Sequence, residues 1–299
     1  MLEETCQKIL DFAKISGADQ ADVMAVHGNS ISIEVRKQAL EQIERSDGIE
    51  FGLRVFKGKR QAIVSGSDLS EASIKLMTER AVDMAKAAPE DPYCGLAKKS
   101  ELVAAWDVDE LELSDDQAEP QPEELENQAK EAEYFALENQ SVDQVQSASS
   151  AYSKTKIHLS ATNGFNGGYS KTSFSTSCVA IARSQSGLER DYDGDVRIFK
   201  RDLRSPEEIG IRAAKRAVSK LEARKPKTGV YPVIFDERVS SSLIGHLLAA
   251  TNGVAVAKGS SWLLDKKGTQ VLPEFLSITE DPYRKRASGS RPFDAEGLE

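Results

Sequence analysis

Residues 31–64, ISIEVRKQALEQIERSDGIEFGLRVFKGKRQAIV, decide the fold. Ile31, Ile33 and Val35 alternate with polar residues, as do Ile49, Phe51, Leu53 and Val55. A period of two places every second side chain on one face of a strand. Asp47-Gly48 between the two runs predicts a hairpin turn, and Ala62 to Val64 a further strand. Upstream, Cys6, Ile9, Leu10 and Ala13 make one face of a helix that ends near Gly17. Downstream, Asp68 followed three residues later by Glu71 predicts a helix start, with Ile74, Met77, Ala81 and Met84 as its apolar stripe. Residues 1–90 therefore predict an amino-terminal α+β domain on an antiparallel sheet.

The composition then changes. Residues 91–121 carry Pro92, Gly95 and the acidic run WDVDELELSDDQAEPQ, read as a linker or surface excursion with a solvated acidic face. Residues 122–226 predict a middle helix-plus-sheet domain. Pro122, Glu123 and Glu124 start a helix running through Phe135. From Val145 to Phe199, Ser and Thr alternate with apolar residues, as in a sheet with one wet face, punctuated by Asn163-Gly164 and Gly167-Gly168. Asp191, Asp193 and Asp195 in DYDGDV fail as a calcium loop, because Val196 stands where glycine is needed and Asp202 where the bidentate glutamate belongs; a hairpin turn is expected. Ser205, Pro206 and Glu208 form a capping box opening a helix through Ala213, Ala217 and Leu221, which breaks at Pro226. His27 and His158 fall in strand-like stretches with no motif around them.

The 299 residues suffice for a sizeable core in two to three domains. Lys and Arg number 39 against 48 acids, a formal charge of −9, which disfavours a direct grip on nucleic acid. The short basic clusters 57–60 and 283–286 read as solvated turns. No stretch approaches the ~20 apolar residues of a membrane span, and MLEETCQKILDFAK is an amphipathic helix, not an export signal. Three widely spaced cysteines, Cys6, Cys94 and Cys178, indicate reduced thiols in a cytoplasm.

Residues 229–264 frame a helix that looks built for metal chemistry and then omit the chemistry. Tyr231, Val233, Ile234 and Phe235 are strand-like, Asp236 is placed to cap a helix, and Val239, Leu243, Leu247 and Ala250 form the stripe of a buried helix. His246 lies on that apolar side. A helical zinc hydrolase needs two ligands from one helix and a carboxylate base. Leu247 follows His246, and Ala250 and Thr251 stand four and five residues on, so His246 reads as structural first and as a ligand second.

The segments TGVYPVIF (228–235), GSSWL (259–263), DPY (281–283), GSRPFDAEG (289–297) and, more weakly, TNGF (162–165) give the chain its resemblance to the TldD/PmbA family, within it the PmbA or TldE branch. The resemblance covers the whole chain. It implies that the TldD branch carries H-E-x-x-x-H over residues 246–251; only His246 matches, the glutamate falling on Leu247 and the second histidine on Thr251. Histidines five apart stand roughly 140° apart on a regular helix. The resemblance implies no catalytic and no metal residue in this chain, His246 being the one residue that matches. It also implies a longer protein, so residues 227–299 are expected to be the start of a carboxyl-terminal TldD/PmbA domain whose β-rich part is incomplete.

What the resemblance implies functionally is a cytoplasmic heterodimer. A TldD-like subunit holding zinc cleaves unfolded peptides, and a PmbA-like subunit without a cofactor of its own completes the assembly. The setting is peptide maturation and small-protein turnover, with any DNA gyrase link indirect. Two alternatives stay open: an autonomous zinc metallopeptidase using His246 with Asp236 or Glu237, and a non-enzymatic regulatory binding protein linked to DNA gyrase.

Overall fold

The computed structural model describes residues 1–185 and 187–299, which divide into a unit of residues 1–223 with 281–299 and a unit of residues 224–280. In chain order the first contains α1 (Leu2–Ile15), β1 (Gln20–Arg36), β2 (Ala39–Lys57), β3 (Arg60–Gly66), α2 (Glu71–Ala87), the short α3 (Val108–Leu111), α4 (Pro122–Leu137), β4 (Val142–Ala161), β5 (Asn166–Ser184), β6 (Gly187–Arg197) and α5 (Pro206–Ser219). The second contains α6 (Glu237–Thr251) and α7 (Gly253–Ala257).

The fold class is the expected α+β, with a single six-stranded antiparallel sheet in the order β3-β2-β1-β4-β5-β6. Strands from 1–90 and from 122–226 share it because β1 pairs with β4 from Asp22↔Ala161 to Val35↔Ala148. Antiparallel pairing puts opposed residues on one face, so the apolar alternation of each strand adds up to one helix-covered side. At one end Cys6, Ile9 and Leu10 of α1 and Ile74 and Ala81 of α2 pack on Val23, Ala25, Phe51 and Leu53. At the other, Leu125 and Ala132 of α4 and Ile209 and Ala213 of α5 pack on Ile31, Ile33, Ala148 and Cys178. The predicted buried face of α1 and the Ser205 cap of α5 are both observed, Ser205 Oγ accepting from the Glu208 N–H at 3.1 Å.

Several local expectations are corrected. The β1–β2 turn is Lys37-Gln38, both with positive φ (55° and 58°), and Asp47-Gly48 lies inside β2 opposite Asn29 and Gly28. The Asp-Gly signal lost to a distant side chain: Glu133 of α4 accepts hydrogen bonds from the N–H groups of Lys37 (2.7 Å) and Gln38 (2.6 Å). The cap of α2 is Ser70, and its buried side is Ile74, Thr78, Ala81, Val82 and Ala85, with Met84 51% exposed. Gly167-Gly168 lies within β5, where a Cβ on Gly168 would stand 2.7 Å from the Ile157 carbonyl oxygen. The excursion 91–121 is partly packed, burying Val103, Leu111 and Leu113.

DYDGDV is not a turn but the middle of β6. Asp193, 3% exposed, meets Arg204 at 2.7 Å and also Arg216, while Lys220 reaches Asp191 at 3.1 Å. These carboxylates tie α5 and the segment before it to the sheet edge. Burial pulls the Asp195 carboxyl upward, but the Arg204 N–H and the Arg197 guanidinium outweigh it and hold its pKa below the ordinary 3.8. A depressed folded pKa contributes stability above the unfolded value and loses it as pH falls through the folded one. Asp195→Asn is therefore expected to flatten the loss of thermal stability below pH 3.8, measured as Tm against pH.

In residues 224–280 the strand-like run 230–235 joins no ladder, and the α6 stripe is not buried: Val239 is 50% and Leu243 45% exposed, with Ala250 alone buried. Periodicity states which side chains share a face; burial needs a facing layer, and residues 224–280 supply none to this face. Among the described residues no helix is long and apolar enough to cross a membrane.

Candidate functional site

His246, the one residue that the resemblance sets against a metal motif, stands exposed on α6. Its environment follows from that helix. Asp236 caps it, its Oδ1 accepting from the Arg238 N–H (3.0 Å) and Nε (3.2 Å). Thr251, on the last turn, donates its hydroxyl to the Leu248 carbonyl at 2.8 Å. Ten residues separate Asp236 from His246, about 15 Å along a helix at 1.5 Å per residue. Ligands of one zinc ion each lie about 2.0–2.3 Å from it, so neither Asp236 nor Glu237 joins His246 on a common metal. Among the described residues no group of three or more His, Cys, Asp or Glu side chains could hold a metal ion. The residues present do not fit a helical zinc centre.

A second feature is main chain. β3 pairs only with residues 51–57 of β2, so residues 39–50 of β2 have no strand on their outer side, and all but Ile49 are exposed. Such an edge presents unpaired N–H and C=O groups to any extended chain. Its acids Glu41, Glu44, Asp47 and Glu50 are the charges that keep an open edge from self-pairing.

The GSRPFDAEG segment has a mechanical role. Phe293 enters an aromatic box of Trp106 (centroids 5.1 Å), Phe165 (4.9 Å) and Tyr169 (5.4 Å). Asp294 Oδ1 accepts from the Glu296 and Leu298 N–H groups, and Gly297 (φ 81°) lies so close to Phe165 that a Cβ would approach within 2.4 Å. Glu296 then meets Arg54 at 2.9 Å, and Arg54 also forks onto Asp22. Burial still pushes the Asp22 carboxyl above its usual value despite that partner. The basic cluster 283–286 is likewise more than a solvated turn: Arg286 bonds Glu112 at 2.5 Å and stacks on Phe199.

The sheet brings His27 and His158 onto neighbouring rows of the helix-covered face, since Ala25 stands opposite His158 and His27 opposite Lys156. His27 Nε2 meets Asp47 Oδ1 at 2.9 Å and His158 Nε2 meets Asn166 Oδ1 at 2.8 Å. Sequence spacing could not reveal this, because the pairing spans more than a hundred residues. Cys6, Cys94 and Cys178 are buried free thiols, and burial pushes Cys6 up to about 11 and Cys178 to about 12, which leaves both unreactive at neutral pH.

Family profiles match in chain order: PmbA/TldA metallopeptidase domain 1 over residues 21–85, the central domain over 115–221 and the C-terminal domain over 228–299. The metalloprotease PmbA of Escherichia coli O157:H7 is 33% identical over 300 residues, spanning 100% of this chain and 66% of its own length. The PmbA homolog of Haemophilus influenzae is 32% identical, over 99% of this chain and 65% of its own length. The chain thus spans about two thirds of the length of these curated relatives. Two solved structures share the fold. One, from Bacteroides thetaiotaomicron and described as a candidate modulator of DNA gyrase, has TM-score 0.91 and 24% identity over 99% of this chain and 67% of its own. The other, TldE from Thermococcus kodakarensis, has TM-score 0.77 and 19% identity over 98% of this chain and 65% of its own.

Proposed function

Because the chain belongs to the PmbA/TldD metallopeptidase family, we propose that it is a PmbA/TldE-like, non-catalytic subunit of a cytoplasmic heterodimeric metalloprotease acting on unfolded peptides. The observation that carries this reading is α6, which offers one exposed imidazole where the TldD branch needs two histidines and a glutamate. Zinc and the general base then belong to a TldD-like partner. The open β2 edge supports the substrate class. Main-chain pairing is indifferent to side-chain sequence and needs an extended, unfolded ligand. The buried reduced thiols agree with a cytoplasmic setting.

An autonomous zinc peptidase is the weaker reading, since the roughly 15 Å between Asp236 and His246 separates its proposed ligands. A gyrase-linked binding protein would use the same surfaces without peptide turnover. The test is to measure zinc in the purified chain after dialysis against a mild chelator, and peptide turnover with and without a TldD-like partner. The expected result is almost no zinc, turnover only in the mixture, and no change in that turnover on His246→Ala. One tightly held zinc per chain, lost on His246→Ala, would overturn the proposal, and partner capture with no effect on turnover would favour the gyrase-linked reading.

A further inference from the structure

A band of polar side chains crosses the helix-covered face of the sheet between the two helix pairs. In register, Asp47, Asn29 and Lys154 lie side by side on β2, β1 and β4, and Ile49, His27, Lys156 and Ser170 form the next row. Asp47 is shared by His27 Nε2 (2.9 Å) and by the Asn29 amide, whose Nδ2 donates to Asp47 Oδ2 at 3.2 Å. That bond assigns the amide: the nitrogen is used, and Asn29 Oδ1 is buried with no hydrogen-bond partner among the described residues. A buried acceptor without a donor is costly, and native proteins normally match one.

On the neighbouring strand, Lys154 and Lys156 project from the same face, two residues and about 7 Å apart. Neither ammonium has a carboxylate within ion-pair distance among the described residues, whereas most other cations of this sheet are paired, as in Arg45–Glu119 and Arg54–Asp22. Beside them opens a cleft of about 510 Å³ lined by Met1, Glu3, His27, Lys156, His158 and Ser170. Two unmatched cations and one unmatched acceptor in adjoining register positions call for a ligand that carries an anion and a donor together.

We infer that this band is a subsite for the carboxyl terminus of a peptide. The terminal carboxylate is taken by Lys154 and Lys156, and a rotation of the Asn29 side chain, whose Oδ1 is enclosed in the free chain, lets that oxygen accept the N–H of the terminal residue. A chain terminus supplies both groups within one residue, and lysine stems are long enough to converge on one carboxylate. This rests on the peptide-binding reading above but not on the partner or the metal. Free hydrogen phosphate also combines an anion with an O–H donor, so the experiment separates the two.

The probe is a labelled, unstructured peptide made in two forms, with a free carboxyl terminus and with a terminal amide, its binding to the full chain read by fluorescence anisotropy. The free acid is expected to bind about tenfold more tightly than the amide. The K154Q/K156Q double variant should reduce the acid to the affinity of the amide and leave the amide unchanged. Both substituted positions are polar and not fully buried, so the melting temperature should match the parent and confirm folding. Equal binding of acid and amide, or an acid preference that survives the double substitution, overturns the inference. So does displacement of the acid by inorganic phosphate at concentrations comparable to the peptide's own Kd, which would make this a general anion site. Failure here leaves the subunit reading to its own zinc and turnover measurements.

Discussion

Gly210→Ala is expected to lower the stability of the helix-covered sheet by about 2–3 kcal/mol, although alanine is the better helix former by about 1 kcal/mol. Gly210 is where α5 crosses α4. A Cβ there would stand 2.2 Å from the Ala132 carbonyl oxygen and 3.0 Å from the Ala136 nitrogen. Both are backbone atoms of a neighbouring helix, so no rotamer change relieves the clash and the two helices must separate. Ala129, Ala132, Ala136, Ala213, Ala214 and Ala217 line this crossing, and its burial depends on close approach. The measurement is chemical or thermal unfolding, with a Tm drop of about 5–10 °C for a unit of this size. Gly245→Ala is the control. Its added Cβ meets nothing within 4 Å on exposed α6, and it should be neutral or slightly stabilising. Equal effects at the two positions would sink the packing argument.

Glu133→Ala should cost about 3 kcal/mol, because hydrogen bonds to a charged acceptor contribute about 1.5–3 kcal/mol each and part of the loss is recovered by water at an exposed turn. Glu133 is 1% exposed and receives the Lys37 and Gln38 N–H groups and Gln38 Nε2 (3.1 Å). It therefore holds two non-glycine residues at positive φ, a conformation that costs of order 1 kcal/mol each. Hydrogen exchange of residues 36–40 should accelerate in Glu133→Ala, since this carboxylate sets the end of the β1–β2 hairpin. Lys37→Gly, which adopts positive φ without strain, should restore part of the stability. Loss without faster exchange at the hairpin would mean that Glu133 acts elsewhere.

The sequence carried much of the architecture in local form. Alternation at Ile31, Ile33, Val35 and at Phe51, Leu53, Val55 announced strands with one buried face, and Ser205-Pro206 with Glu208 announced the start of α5. It misplaced the hairpin turn, because Asp47-Gly48 is a stronger local signal than Lys37-Gln38 and the deciding contact comes from Glu133, nearly a hundred residues away. It made a turn of DYDGDV because the cations that hold these acids within the sheet, Arg204, Arg216 and Lys220, lie outside the stretch itself. The His246 helix is the helix expected, and its apolar stripe finds no covering layer within residues 224–280. Periodicity carries phase but not the identity of a covering layer.

By itself, then, the sequence determined most of the element types and pointed to the family, because alternation and helix caps are local signals and the family segments are spread along the whole chain. Only the tertiary structure decided the register of β1 against β2 and β4, and with it the shared Asp47, the unmatched Asn29 Oδ1 and the unpaired Lys154 and Lys156. Strand pairing has no local code. A slip of one residue would carry every one of these side chains to the other face, and what prevents it is the summed burial of Ile31, Ile33, Phe51 and Leu53 under helices from distant parts of the chain.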